Sequence, residues 1–291
     1  MTSNPLLFGL DWITTLQSTF SHEYIITFYK FITFFGGADC LLLFLPFIYY
    51  FNSHKKAVCF GIITFLNLLV NVGSKLSFNM PRPFHLDESL GLIHAGNFGF
   101  PSGHSHLAIY LWGSIALIWL KKYNYIKALS IFMIVNIIFS RLYLGVHFPI
   151  DLIGGSILGI IGLITLKKYI NKDQLISNTI MISLIIFFLI VTFIFFPNKD
   201  LSSLLGAYLG FVLAQILYAQ SFHEKVYDFG VFKKISTIAL ILIACFTIRY
   251  SFKFIPTVNE YFEAILQILK YTCMTLILCG GIFKFKKNQI N

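Results

Sequence analysis

Charged residues are scarce in this sequence, and acidic residues are fewer than basic ones. Of the 291 residues only 12% are charged, whereas an ordinary soluble domain carries about 25%. The chain has 22 Lys and Arg against 12 Asp and Glu, and 57% of its residues are hydrophobic. Its mean hydropathy is +0.78. This composition excludes a soluble fold and predicts an all-α, polytopic membrane protein built as a helical bundle.

Other common features are also missing. No internal repeat, low-complexity linker or stretch of soluble-domain composition interrupts the chain. The N-terminus lacks the basic leader and small-residue cleavage site of a signal peptide, so none is expected. The five cysteines form no C-x-x-C pair, which indicates small apolar filler within membrane helices and says little about the redox compartment.

Nine apolar stretches are long enough to span a membrane, which takes roughly 20 residues. They are residues 24–51, 57–78, 103–120, 126–143, 150–166, 176–196, 201–220, 232–250 and 262–283. With nine spans, fourteen of the 22 basic residues fall on one side of the membrane. The positive-inside rule makes that side, with the C-terminal tail, cytoplasmic. The net charge of +10 is thus explained by membrane orientation, and no nucleic-acid partner is expected.

Three regions follow from this layout. Residues 1–23 are predicted to form an interfacial N-terminal segment, residues 24–173 a catalytic membrane core, and residues 174–291 additional C-terminal membrane helices of unknown role. The C-terminal helices carry no motif; they are candidates for scaffolding, a lipid entry groove or a homo-oligomer surface. Small residues at helical spacing in the fifth span favour close helix packing; they are Gly154, Gly155, Ser156, Gly159 and Gly162.

Ionisable residues are concentrated in three blocks between positions 71 and 151. Charged groups at membrane depth are costly, so such a concentration indicates a functional site. All three blocks reach the same, non-cytoplasmic face in the nine-span layout. They are KLSFNMPRP with Lys75 and Arg82, PSGH with Ser102, Gly103 and His104, and SRLYLGVHFPID with Arg141, His147 and Asp151.

This set of residue types suits a phosphoryl group. Two arginines and a lysine can neutralise phosphate oxygens, the arginines through bidentate contacts. Ser102 is placed to cap the next helix, and Gly103 allows close approach of the backbone to an anion. Asp151 follows His147 by four residues, a spacing that can orient one ring nitrogen and leave the other as a nucleophile. His104 can then protonate the leaving alkoxide, whereas its neighbour His106 is expected only to line the pocket.

The pattern K-x6-RP, PSGH, SR-x5-H-x3-D resembles the signature of the type 2 phosphatidic acid phosphatase superfamily, which includes lipid phosphate phosphatases and vanadium haloperoxidases. All three blocks are present in order, and the match covers residues 71–155 directly. Many members have six spans. This chain adds about four spans after the core and has one fewer before it. The substrate of any single family member therefore cannot be assigned to this chain.

The resemblance implies a role for each matching residue. His147 would form a phosphohistidine, Asp151 would orient it, and His104 would act as general acid and then as base for water. The phosphate would be held by Lys75, Arg82, Ser102, Gly103 and Arg141. The lipid phosphate phosphatases of this family need no metal, so no cofactor is expected and the cationic side chains would take the place of magnesium. The implied protein is a multi-pass phosphatase of the bacterial plasma membrane with an exterior-facing site, membrane lipids as surroundings and a lipid phosphate as substrate.

Alternative interpretations of the same residues remain. A histidine four residues before an aspartate is in most proteins a simple hydrogen bond at a helix start, and a lone Lys75 or Arg82 would be an interfacial anchor. A lipid phosphotransferase would use the same intermediate with a lipid or sugar acceptor. A transporter would instead carry polar residues along several spans at midplane depth, whereas here they concentrate at one face.

Overall fold

In a computed structural model the regular structure is helical throughout the described residues, which are 9–51, 54–96, 98–171, 178–218 and 230–287. Short 3₁₀ turns at Glu88–Leu90 and Phe252–Phe254 accompany the α-helices. The α-helices are α1 (Leu10–Thr19), α2 (Glu23–Phe34), α3 (Ala38–Phe51), α4 (His54–Phe78), α5 (Pro83–Leu86), α6 (Gly103–Ser114), α7 (Asn124–Tyr143), α8 (Pro149–Tyr169), α9 (Asn178–Ile194), α10 (Lys199–Tyr218), α11 (Val231–Ser251) and α12 (Glu260–Lys287). The predicted all-α membrane bundle is confirmed.

The predicted count of nine spans is not confirmed. Within the described residues six helical stretches are long and apolar enough to cross a membrane, or seven if α2 and α3, bent by 47° at their junction, form one broken span. Two predicted spans are shorter than expected. Residues 103–120 form only 12 residues of α-helix before a π-helical segment at Ile115–Trp119, and the apolar part of α9 is Met181–Ile194.

The chain divides into two compact units. The first unit comprises Met1–Leu41 with Leu66–Tyr169, and the second comprises Leu42–Phe65 with Ile170–Asn291. Every residue of the three sequence blocks belongs to the first unit. The residues of the candidate site therefore lie within that unit.

Glycines bring α6 and α8 of the first unit into close contact. A Cβ atom on Gly155 would overlap the carbonyl oxygen of Ser102, and one on Gly159 would lie 2.7 Å from the carbonyl oxygen of His106. Glycine is required at both positions because the facing atoms are backbone and cannot turn aside. The predicted role of small residues in close helix packing is confirmed at Gly155 and Gly159.

Two apolar clusters hold the remaining helices of this unit together. One joins α2, α6 and α7 through Ile32, Ala108, Met133 and Ile137. The other surrounds the residues at the end of α7, where Tyr143, Leu144 and Val146 are packed by side chains from α1, α2, α5, α7 and the loop after α5. Dense packing restricts movement of the α7–α8 connection, which carries His147.

Glycine at position 145 is required in the same connection. Gly145 has φ +69°, and a Cβ atom there would overlap the carbonyl oxygen of Leu90. Gly145→Ala is therefore expected to destabilise the protein by about 3 kcal/mol, from a left-handed residue and a steric clash with backbone. The unfolding midpoint in detergent measures this loss.

The matched control is Gly73→Ala in α4, where a Cβ atom would meet nothing within 4 Å. It is expected to leave the midpoint unchanged or raise it slightly, since alanine is the better helix former. Equal midpoints for the two variants would contradict the prediction.

In the second unit α10 and α12 run side by side through two further glycines. Cβ atoms on Gly206 and Gly210 would overlap the carbonyl oxygens of Ile268 and Thr272 respectively, and the Thr272 hydroxyl donates to the Gly206 carbonyl at 3.0 Å. Small residues spaced by four along one helix allow such an approach. This unit therefore contains a tightly packed helix pair.

Candidate active site

The three sequence blocks meet in the first unit and bury their charged groups there. Lys75 is 8% exposed, Arg82 5% and Arg141 3%. Among the described residues Asp151 is the only acidic side chain that is buried. Three cations around one carboxylate leave an excess of positive charge in a region sheltered from water, where electrostatic attraction is strong. The arrangement suits an anion with two or more negative charges.

His147 lies between Asp151 and Arg82, and these contacts determine its tautomer. Its Nδ1 is 3.2 Å from Asp151 Oδ2 and its Nε2 is 3.0 Å from Arg82 Nη1. A guanidinium can only donate, so Nε2 must accept and carries the lone pair. The proton is consequently on Nδ1, which donates to Asp151. The orientation predicted from the four-residue spacing is present.

The helix start at Pro149 makes this pairing local. The N–H group of Phe148 donates to Asp151 Oδ2 at 2.9 Å, so the carboxylate folds back over the first turn of α8. A carboxylate near a helix N-terminus is also favoured by the helix dipole. Asp151 thus accepts hydrogen bonds from both His147 and the start of α8, although its side chain is buried.

Lys75 and Arg82 both hold the loop that precedes α6. Lys75 Nζ donates to the carbonyls of Phe98 and Gly99 at 3.0 and 3.3 Å. Arg82 donates to the Gly96 carbonyl at 2.9 Å and to the Val146 carbonyl at 2.7 Å. These acceptors are neutral, so a phosphate, with its full charge and several oxygens, would compete well for the same donors.

The PSGH block forms the start of α6, as its sequence predicts. The backbone N–H of Ser105 donates to Ser102 Oγ at 3.3 Å, which makes Ser102 the N-cap. The backbone N–H of Ser102 donates to the Asp151 carbonyl at 2.9 Å and joins this block to α8. At Gly103 a Cβ atom would meet only Asn71 Oδ1, at 3.5 Å. Backbone therefore remains approachable there.

Residues outside the three blocks also contact the site. Thr33 at the end of α2 accepts a hydrogen bond from Arg141 Nη1 at 2.7 Å, and Asn71 in α4 donates to the Pro101 carbonyl at 3.5 Å. Gly37 lies beside His104. The sequence patterns did not identify Thr33, Asn71 or Gly37 as residues of the site. The single signal was a pair of glycines followed by an aspartate inside an apolar run.

Helix α1 fastens the connection that carries His147. The side-chain amide of Gln17 donates to the Tyr143 carbonyl at 2.8 Å and to the Leu90 carbonyl at 2.9 Å, and the Tyr143 hydroxyl donates to the Phe20 carbonyl. The sequence predicted an interfacial N-terminal segment over residues 1–23 but no role for it at the site. The structure brings its C-terminal half against the end of α7.

His106 is separate from this cluster of charges. It is fully buried, and neither of its ring nitrogens has a hydrogen-bond partner among the described residues. Its carbonyl oxygen packs against Gly159 of α8. His106 therefore belongs to the α6–α8 contact, two residues beyond His104.

Comparisons with known proteins agree with the sequence pattern. A family model described as PAP2 superfamily matches residues 56–175. Phosphatidylglycerophosphatase B of Bacillus subtilis (strain 168) is 39% identical over 90 residues, which are 28% of this chain and 43% of that protein. The putative undecaprenyl-diphosphatase YbjG of Escherichia coli (strain K12) is 38% identical over 88 residues, 29% of this chain and 42% of that protein.

A solved structure shares the fold. The crystal structure of a transmembrane PAP2 type phosphatidylglycerolphosphate phosphatase from Bacillus subtilis superposes with a TM-score of 0.51 at 23% identity, covering 60% of this chain and 91% of that one.

The curated relatives are matched only in part. The chain spans about half of their length, between 42% and 57%. The range matched by the family model, residues 56–175, includes the three sequence blocks that meet in the first unit. Over residues 56–175 this chain is therefore similar to the PAP2 superfamily.

Proposed function

We propose that this chain is an integral membrane phosphatase that hydrolyses a lipid phosphate monoester or diphosphate through a phosphohistidine at His147. The observation that carries the proposal is the His147 ring, with Asp151 on Nδ1 and a lone pair on Nε2, among three buried cations. This arrangement provides a nucleophile and an anion site in one place.

In the first step a substrate phosphate displaces the loop carbonyls from Lys75 and Arg82. Arg82 Nη1 moves from His147 Nε2 to a phosphate oxygen, which frees the lone pair. Nε2 then attacks phosphorus, and the P–O bond to the leaving group breaks, which is the lipid alkoxide of a monoester or the lipid phosphate of a diphosphate. His104 gives its proton to the departing oxygen. Asp151 stabilises the positive charge that develops on the His147 ring.

In the second step the phosphoryl group leaves His147. His104, now neutral, takes a proton from water, and the resulting oxygen attacks phosphorus on the side opposite Nε2. The N–P bond breaks, inorganic phosphate departs, and His104 is again protonated for the next cycle. Lys75, Arg82, Arg141, Ser102 and the Gly103 amide stabilise the charge on the equatorial oxygens in both steps.

The names of the relatives suggest which lipids to test. They include a phosphatidylglycerophosphatase, an undecaprenyl-diphosphatase and a lipid A 4'-phosphatase. Purified full-length protein in detergent is expected to release phosphate from at least one of phosphatidylglycerophosphate, undecaprenyl diphosphate and phosphatidic acid, and a chelator is expected not to change the rate. Failure on all three, with added Mg²⁺ or without it, would refute the proposal.

The same assay separates hydrolysis from transfer. With a lipid or sugar alcohol added, a phosphotransferase would form a new phosphate ester and release less inorganic phosphate, because both acceptors compete for one intermediate. We expect phosphate release to be unchanged. Stoichiometric conversion of the acceptor would establish the transferase instead.

We also propose that the site faces the non-cytoplasmic side, because the lysine-rich connections then lie in the cytoplasm. In this arrangement α6 with its π-helical extension and α9 both cross the membrane as short helices. A reporter at Lys284 is expected to be inaccessible from outside intact cells. Labelling of that position by an impermeant reagent would show that the orientation is the opposite one.

The pH profile provides a further prediction. Burial, followed by the positive charges of Arg82, Arg141 and Lys75, lowers the pKa of His147 well below its ordinary value. Protonation blocks attack, so kcat/KM is expected to fall only as the pH drops through this lowered pKa, below the usual histidine value of about 6.5. Measuring kcat/KM against pH tests this.

The substrate also titrates, since a phosphate monoester loses its second proton near pH 6. The profile is therefore measured with two substrates whose phosphate groups differ in pKa. A limb of the kcat/KM profile that has the same midpoint with both substrates is due to the enzyme and not to the substrate. An enzyme acid limb, on which kcat/KM falls as the pH decreases, with its midpoint above pH 6.5 would contradict a depressed pKa at His147.

A further inference from the structure

The junction between α2 and α3 lies against the proposed site, although none of the three sequence blocks includes it. We call residues 33–37 the break segment. Thr33 Oγ1 is 2.7 Å from Arg141 Nη1. A Cβ atom on Gly36 would lie 3.2 Å from the His104 carbonyl oxygen, and one on Gly37 would lie 3.6 Å from His104 Nε2. One short segment thus contacts both Arg141 and His104.

Thr33 restrains the guanidinium of Arg141. Both side chains are buried, with 9% and 3% of their surfaces exposed. Arg141 Nε has no hydrogen-bond partner among the described residues. With Nη1 held by the hydroxyl, the guanidinium plane is oriented and an N–H group remains for a ligand oxygen. A valine at position 33 would have nearly the same shape as threonine but could not accept this hydrogen bond from Arg141.

Gly37 leaves open the space beside the proposed acid. A leaving oxygen must lie about 2.6–3.2 Å from His104 Nε2 to receive its proton. A methyl group on residue 37 would stand 3.6 Å from the same nitrogen and 3.3 Å from the Phe34 carbonyl oxygen. The backbone tolerates such a group with a small shift. The carbon chain attached to a leaving oxygen would, however, compete with it for the same space.

We propose that the break segment is the leaving-group wall of the site. Thr33 is a positioning residue for Arg141, and Gly37 is a specificity-determining position that admits a bulky lipid alkoxide beside His104. The inference rests on the proposed phosphatase function, since it requires His104 to face the leaving group. Among the substrates proposed above, it favours a phosphate monoester whose leaving alcohol is bulky close to the phosphate.

The first test compares two substrates with the same glyceryl leaving oxygen and different bulk. They are glycerol 3-phosphate and dioctanoyl phosphatidic acid, assayed with full-length protein in detergent. Gly37→Ala is expected to lower kcat/KM about tenfold for the dioctanoyl substrate and less than twofold for glycerol 3-phosphate. The control Gly73→Ala, whose added methyl meets nothing within 4 Å, is expected to change neither.

An equal loss for both substrates would mean that the methyl group disturbs His104 itself, and no loss for either would mean that lipid does not pass Gly37. Both results overturn the assignment of Gly37. Wild-type protein that hydrolyses neither these two nor the lipids named above would refute the proposed function instead. The two failures are therefore distinguishable.

The second test concerns Thr33 and does not depend on the Gly37 variant folding. Thr33→Val is expected to raise KM about tenfold for both substrates alike, and to raise the inhibition constant of inorganic phosphate by a similar factor. Thr33→Ser, which keeps the hydroxyl, is expected to restore both values to within about twofold. A valine variant with unchanged phosphate inhibition, or a serine variant as impaired as the valine one, would refute a positioning role.

Discussion

Replacing His147 by alanine is expected to lower kcat for lipid phosphate hydrolysis by about 10⁴-fold or more, because the proposed covalent route has no other nucleophile. Asp151 and Arg82 both orient His147, so neither can replace its Nε2 lone pair. Wild-type protein quenched during turnover is expected to carry an acid-labile phosphoryl group, and the variant to carry none. Phosphate release and phosphoenzyme formation measure the two effects.

The control for this experiment is His94→Ala. His94 is exposed in the loop after α5, and its replacement is expected to change kcat by less than about twofold. Because His147 is buried, the unfolding midpoint of each variant has to be measured as well. A folded His147→Ala protein with full activity would disprove the phosphohistidine mechanism and leave the fold assignment intact.

Replacing His104 by alanine is expected to have the next largest effect, and one that depends on the leaving group. For a lipid alkoxide, which departs only when protonated, kcat is expected to fall about 10²–10⁴-fold. Nitrophenyl phosphate releases a stable anion and needs no proton in this step. Its first turnover is expected to remain fast, giving a burst of nitrophenolate equal to the enzyme concentration. Slow hydrolysis of the phosphoenzyme follows, since no base activates water.

His106→Gln is the matched control for His104→Ala. His106 lies two residues further along α6, in the contact with α8. Its replacement is expected to leave the ratio of lipid to nitrophenyl phosphate turnover unchanged, even if stability falls. Equal losses for both substrates in His104→Ala, without a burst, would exclude His104 as the acid.

Local features of the site were predictable from sequence because they depend on neighbours along the chain. Ser102 caps α6 through the N–H group of Ser105, and Asp151 reaches His147 over one helical turn. Such contacts follow from helix geometry alone. The glycines of α8 were likewise interpretable, since their spacing of four residues places them on one helix face.

Contacts between distant segments were not predictable in this way. Thr33 and Arg141 are 108 residues apart, and Gln17 is 126 residues from Tyr143. Nothing in the local sequence of either partner specifies the other, because each contact depends on how whole helices pack. Thr33 is an ordinary residue within an apolar helix until the fold places it beside a buried guanidinium.

The number of membrane spans was likewise predictable only in part from the sequence. Hydropathy identifies the apolar runs, but it does not reveal where a run leaves the α-helical conformation. The run that begins at Gly103 turns π-helical at Ile115, and the run through α2 and α3 breaks at Gly36 and Gly37. Backbone geometry responds to packing, as in the close approach of Gly36 to Ile137 of α7.

The sequence by itself determined the membrane-helical class and the three blocks of the PAP2 pattern, since composition and short-range spacing set both. It also determined the pairing of His147 with Asp151 at a helix start. Only the tertiary structure decided which backbone carbonyls Lys75 and Arg82 hold, that α1 fastens the His147 connection, and that Thr33 and Gly37 border the site. These relationships arise from the packing of helices far apart in the chain, where many weak contacts act together.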